Sequence, residues 1–226
     1  QFVSKSSPIA NITSPCLILP VYSKGKQSKL IETLGDELQT LISTVLKQGD
    51  ASGKPGNTLL LQSPKDSKLK RVLLVGLGEQ GKTRAEDFNS AVCATFNALN
   101  SLPVKTVCCA LLDTDVTGKD SEWKVRQLVL SARETMYQYT ETLTTSAPEV
   151  HRLTKCQLLA SGSLKASVID SAITIANSIA NGISSAKKLA NLPGNICTPS
   201  YLAEHAIALG KQHKSLKITV LEEAQM

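Results

Sequence analysis

The sequence predicts an α/β fold, on three observations. Short apolar runs of strand length alternate with amphipathic stretches of helical period. One such run, Arg71 to Val75, ends in Gly76-Leu77-Gly78 and leads directly into a helical pattern. Aromatic residues make up only 4% of the chain, so Ala, Leu, Val and Ile must build the core, which suits helices on a sheet better than a β-sandwich.

Taken in order, Cys16 to Tyr22 reads as a strand. Ser28 to Lys47 reads as a helix, because Leu30, Leu34, Leu38, Leu41 and Val45 recur at helical spacing. Gly49 to Asn57 is a Gly/Pro-rich loop, and Thr58 to Leu61 a short strand. After the strand at Arg71 to Val75, Thr83 and Glu86 have the spacing of a capping box. The helix they open presents Ala85, Phe88, Val92, Phe96 and Leu99 on one face. Thr106 to Leu112 is a buried strand, and Ser121 to Tyr139 a helix with Trp123, Leu128, Ala132 and Met136 inward. Cys156 to Ala160 is a further strand. The alternation calls for a mostly parallel or mixed sheet with helices on both faces.

The pattern then changes. Leu164 to Ala190 reads as one long amphipathic helix, with Val168, Ala172, Ile175, Ile179, Ile183 and Ala186 on its apolar side. Thr198 is suited to cap a helix that starts at Pro199 and runs through Lys211, and Lys217 to Leu221 reads as a strand. The expected organisation is therefore a first domain over 1–162, a connector helix over 163–190, and the incomplete beginning of a second α/β domain over 191–226. The start at Gln1 and the stop after an apolar run are read as a trimmed and truncated chain.

The formal charge is +6 and the pI about 9.0. The one local basic cluster, Lys65, Lys68, Lys70 and Arg71, reads as a solvated loop leading into a strand, with DNA contact as the competing use. The six cysteines, Cys16, Cys93, Cys108, Cys109, Cys156 and Cys197, include no C-x-x-C pair, and most lie in apolar runs. They read as free, core-filling thiols of a protein kept in reducing cytoplasm. No run is long enough to span a bilayer, so no membrane partner is expected.

Gly76-Leu-Gly-Glu-Gln-Gly81-Lys82-Thr83 matches both G-x-x-x-x-G-K-[ST] and G-x-G-x-x-G. A buried strand precedes it, a helix follows, and Asp113 after the next strand imitates a Mg²⁺-holding Asp. Gly76, Gly81, Lys82 and Thr83 are thus the candidates for an alternative, nucleotide-binding reading. Against it, Glu86 and Asp87 in the first helical turn would repel a polyphosphate, and Asp113 is distant for a dinucleotide site. The preferred reading is a glycine-rich turn after a core strand.

Ala186-Lys-Lys-Leu-Ala-Asn191-Leu-Pro193-Gly-Asn195-Ile-Cys-Thr198-Pro199-Ser-Tyr-Leu202-Ala203 closely resembles the start of the catalytic domain in the leucyl (cytosol) aminopeptidase family, where the pattern is N-x-P-x-N-x-x-T-P-x-x-L-A. Val72 to Gly78 and Tyr137-Gln-Tyr139 are similar to the family's N-terminal domain, although Thr142, Thr144 and Thr145 stand where members often carry a basic residue. The resemblance implies a macro-like N-terminal module and a catalytic domain with two divalent metals (Mn²⁺, Zn²⁺ or Mg²⁺). It also implies release of N-terminal residues from peptides with a preference for leucine, cytoplasmic hexamers and, in some bacterial members, DNA binding.

The family's metal and catalytic motifs, resembling G-K-G-I-T-F-D-T-G-G and N-T-D-A-E-G-R-L, do not occur in the sequence. No catalytic residue and no metal ligand is therefore assigned, and the chain alone is expected to be inactive. The other candidates read as bland. His151, His205 and His213 are widely spaced, Glu222 and Glu223 are adjacent on an expected strand and point apart, and Asn191 and Asn195 are expected to brace a turn.

Overall fold

The computed structural model describes residues 1–65, 67–142, 152–160 and 164–225. The chain divides into two compact units, Gln1–Tyr137 with Glu149–Asn181, and Gln138–Pro148 with Gly182–Met226.

The first unit is built on six strands: β1 (Phe2–Lys5), β2 (Leu17–Val21), β3 (Thr58–Gln62), β4 (Arg71–Gly76), β5 (Thr106–Cys109) and β6 (Lys155–Leu159). They lie in the order β1-β6-β5-β2-β4-β3, and every pairing is parallel except β3 with β4. The sheet is mixed, as the alternation predicts. Its central strands are buried on both faces, so they read as unbroken apolar runs. Leu17, Leu19, Val72 and Leu74 face one core, and Ile18, Leu73, Val75 and Cys109 face the other.

α1 (Asp36–Gln48) covers one face through Leu38, Ile42 and Val45. α2 (Ala85–Asn100), α3 (Ser121–Thr135) and the first half of α4 (Ala166–Asn191) contribute to the core of the opposite face, through Phe88, Phe96, Leu128, Ala132, Ile169 and Ile173 among others. Each such side chain removed from water stabilises the fold by about 1.5–3 kcal/mol before the entropy cost is counted.

Several expected elements differ. The helix expected over Ser28 to Lys47 is a 3-10 turn at Ile31–Thr33 followed by α1, because Gly35 takes an extended conformation and restarts the chain. The strand expected to reach Leu112 stops at Cys109 and gives way to a 3-10 turn, Leu111–Asp113. α3 ends at Thr135, short of Tyr139. On α4 the buried stripe is Ile169, Ala172, Ile173, Ala176 and Ala180, whereas Ile175, Ile179 and Ile183 are exposed. Two apolar stripes run side by side on this helix, and helical period alone does not tell which one meets the core. β1 and the 3-10 turn Ile9–Asn11 had no expectation at all.

The second unit holds the rest of α4 and α5 (Pro199–Gln212). No strand forms over Lys217 to Leu221, and those residues are exposed. A strand is stable only when its backbone groups find a partner, and none is placed beside this run among the described residues.

Candidate functional site

The parallel strands end in three loops that interlock through their backbones. The Leu77 N–H donates to the Val21 carbonyl at 3.0 Å, and the Ser23 N–H to the Gly78 carbonyl at 2.8 Å. Gly76 and Gly78 donate in turn to Asn57 and Gly53, each at 2.8 Å, and Gln80 to Lys24 at 3.0 Å. The glycines are required sterically. A Cβ on Gly76 would stand 2.1 Å from the Lys54 carbonyl oxygen, and Gly78 has φ of 84°.

These bonds locate the nucleotide candidates. The backbone donors of Gly76, Leu77, Gly78, Gln80 and Lys82 already point at protein carbonyls and not at open space. Lys82 pairs with Glu79 at 2.9 Å, Gly81 is exposed with φ of 75°, and the buried Thr83 hydroxyl donates to the Leu77 carbonyl at 3.0 Å. Asp113 accepts from the Ser28 hydroxyl at 3.1 Å. All four candidates lie in or beside the glycine-rich turn between β4 and α2.

The capping box is also shifted. Arg84 occupies the N-cap of α2, and Asp87 accepts from the Arg84 N–H at 3.1 Å and from its guanidinium at 3.0 and 3.2 Å. Thr83 is unavailable as a cap because its hydroxyl is turned into the glycine-rich turn. The Arg84 guanidinium holds the Asp87 carboxyl below its usual range.

Beside this turn lies a polar cluster the sequence reading missed. Lys124, only 7% exposed, donates to the carbonyls of Leu112 and Thr114 at 2.9 and 2.8 Å. It thus satisfies the end of the 3-10 turn where β5 leaves the sheet. Burial pulls its pKa down, opposed by Asp115 and Asp113. The Tyr22 hydroxyl donates to Thr114 at 3.1 Å, and burial pushes its pKa up. The signal was present: Lys124 sits between Trp123 and Val125, at a position flanked by core residues.

Cys16, Cys108, Cys109 and Cys156 are core atoms, whereas Cys93 and Cys197 are half-buried. All six cysteines are unpaired. Burial pushes Cys16 up to about 11 and Cys108 to about 12. Cys156 lies well above the ordinary value through its hydrogen bond with Cys109 and its burial. Such thiols are poor nucleophiles.

In the second unit, the segment that carries the family-like pattern forms a turn closed by its backbone. Ile196 and Cys197 both donate to the Pro193 carbonyl at 2.9 Å. Asn191 and Asn195 are exposed and make no side-chain bond that braces the turn, contrary to expectation, because the Pro193 carbonyl does that work. Thr198 caps α5 by accepting from the Tyr201 N–H at 3.3 Å, with Pro199 at the first turn, as expected. His205 lies 3.1 Å from the Ser185 hydroxyl, which ties α5 to α4 within this unit. Lys188 pairs with Glu141 at 2.8 Å. His213 ends α5 at the surface, and Glu222 and Glu223 are exposed. Among the described residues no group of three or more His, Cys, Asp or Glu side chains is placed to hold a metal ion. His151, Thr144, Thr145 and Met226 lie outside the described residues. Lys65, Lys68 and Lys70 are exposed on the β3–β4 loop and Arg71 opens β4, as the loop-to-strand reading expects. Among the described residues no helix is long and apolar enough to cross a membrane.

The fold and these segments have relatives. A model of the cytosol aminopeptidase family, N-terminal domain, matches residues 18–146. A probable cytosol aminopeptidase of Alkalilimnicola ehrlichii is 32% identical over 222 residues, which cover 98% of this chain and 45% of the relative. Among solved structures, a tomato leucine aminopeptidase mutant aligns with a TM-score of 0.74 at 20% identity, covering 99% of this chain and 45% of that one. The bottromycin maturation enzyme BotP in complex with Mn aligns with a TM-score of 0.69 at 20% identity, over 94% of this chain and 39% of that one. The two structural likenesses establish the shared fold. The chain spans less than half the length of the curated relatives it matches. On the family match over residues 18–146, this chain belongs to the cytosol aminopeptidase family and carries that family's N-terminal domain.

Proposed function

We propose that the whole protein is a leucyl aminopeptidase that hydrolyses peptides to release N-terminal amino acids, leucine above others. In this reading residues 1–162 are a macro-like N-terminal domain, 163–190 a connector helix and 191–226 the first part of the catalytic domain. The whole protein would work in the cytoplasm as a homo-hexamer. The observation that carries the reading is the family match over residues 18–146, joined to the Asn191 to Ala203 pattern at the expected place after it.

The family's chemistry implies two divalent metal ions, Mn²⁺, Zn²⁺ or Mg²⁺, which polarise the scissile carbonyl and activate water. The described residues of this chain do not fit that group: His205, His213, Glu222 and Glu223 are not gathered into a cluster of three. No step of hydrolysis is therefore assigned to the described residues. The role proposed for this chain is folding, assembly or regulation of the enzyme. The exposed Ile196, Leu202, Ile207 and Leu221 suit a segment that is covered in the whole protein.

The test is to purify the full-length protein from its own gene and assay leucyl amide hydrolysis before and after chelation. Leucine release that is lost with chelator and restored by Mn²⁺ or Zn²⁺ is the expected result. A metal-replete full-length protein that hydrolyses no aminoacyl amide would overturn the reading.

A further inference from the structure

The first unit contains a cavity of about 600 Å³ that lies apart from the glycine-rich turn. That volume falls inside the range of about 300–1,000 Å³ common for small-ligand sites. Its floor is apolar and comes from three separate segments. Ile9 and Ile12 come from the turn after β1, Leu34 and Leu38 from the approach to α1, and Leu69 from the β3–β4 loop. All five are buried in the body of the unit.

The rim carries both signs of charge. Asp36 and Glu37, in the first turn of α1, and Lys68, from the β3–β4 loop, are among its lining residues. All three are exposed, and none is engaged in an ion pair. An apolar floor beneath opposite, uncommitted charges is complementary to one class of small molecule. That molecule has a branched apolar side chain and carries an ammonium and a carboxylate together.

We propose that this cavity binds a free α-amino acid or dipeptide with a branched apolar side chain. The side chain fills the floor between Ile12, Leu38 and Leu69. The ammonium faces Asp36 and Glu37. The carboxylate faces Lys68. Such molecules belong to the class that the proposed peptidase reaction consumes and releases, and the biological sense of the inference rests on that reading. Binding itself needs no peptidase activity and is measured on this chain, so its failure and the failure of the peptidase reading are distinguishable.

The experiment is amide-shift NMR on the isotope-labelled 226-residue chain, titrated with L-leucine and with leucyl-leucine. Saturable shifts confined to residues around 9–12, 34–38 and 67–69 are expected, with a Kd on the order of 1 mM for so small a ligand. Leucinamide, which lacks the carboxylate, and 4-methylpentanoate, which lacks the ammonium, should each bind roughly tenfold more weakly. Lys68→Glu should weaken leucine by about five- to tenfold, whereas Lys65→Glu on the same loop, outside the cavity, should not. All of these are surface changes, and the unlabelled ligand series tests the site even where a variant misfolds. Non-saturating shifts for both leucine and leucyl-leucine would overturn the proposal. So would equal binding of 4-methylpentanoate and leucine, or equal weakening by the two lysine variants.

Discussion

The Gly78 N–H donates to the Gly53 carbonyl at 2.8 Å, and both residues hold positive φ, 84° and 66°. This bond locks the loop after α1 onto the turn after β4, and so sets how the strands end. A Cβ on Gly53 would lie 2.3 Å from the Tyr22 carbonyl carbon. Gly53→Ala therefore combines a strained backbone with a main-chain clash and should cost about 3 kcal/mol. Gly81, with φ of 75° but open space around it, should lose only about 1 kcal/mol on the same change. Urea melts of the two variants check this; equal losses would show that crowding at Gly53 is unimportant.

Asp87, and not Glu86, closes the start of α2. Asp87→Ala removes the acceptor for the Arg84 N–H and should cost about 1 kcal/mol. Glu86 makes only an exposed ion pair with Arg84, so Glu86→Ala should stay within about 0.5 kcal/mol of the parent. Thermal melts of both variants decide between this capping and one based on Thr83 and Glu86.

The buried thiols make stability fall in alkali. The folded-state pKa of Cys16 is raised from 9.0 to about 11, and that of Cys108 from 9.0 to about 12. Their protonated form is favoured by the fold. The associated stability is fully present below pH 9.0 and is lost as pH rises towards about 11 and 12. Each thiol that ionises only on unfolding steepens the loss by about 1.4 kcal/mol per pH unit. Urea melts from pH 8 to 10.5 on the parent and on a Cys16→Ala, Cys108→Ala double variant should show the steeper fall in the parent. Parallel curves would contradict the burial of these thiols.

The two units should also differ in local stability. β4 is buried nearly throughout, whereas α5 has no buried residue. In hydrogen exchange on this chain, amides of Leu202 to Leu209 should exchange at least roughly a hundredfold faster than those of Leu73 to Val75. Equal protection would mean that the second unit is covered by contacts not seen in a single chain.

Much of the fold was readable because its physics is local. The apolar runs at Leu17, Val72 and Thr106 are long enough to name buried strands, and Thr198-Pro199 carries its cap in two residues. What was unreadable depends on distant partners. Phe2–Lys5 is a strand because it pairs with Lys155–Leu159, far away in sequence. Lys217 to Leu221 has the pattern of a strand and no partner among the described residues to make it one. Thr83 has the spacing of a cap, yet its hydroxyl is claimed by the Leu77 carbonyl across the glycine turn. The glycine motif itself was legible, but whether its N–H groups face a ligand or a carbonyl depends on the Gly49 to Asn57 loop folding over it. The cavity above Leu38 likewise needs three separated segments and left no mark in the sequence.

The proposed function places residues 1–226 in an aminopeptidase and assigns their described residues no step of hydrolysis. It is tested most directly by measuring leucine release from leucyl amide side by side, with this chain and with the full-length protein, each in excess Mn²⁺. Release by the full-length protein, and none above the buffer rate by the chain, is the expected result. Metal-dependent release by the chain alone would contradict it.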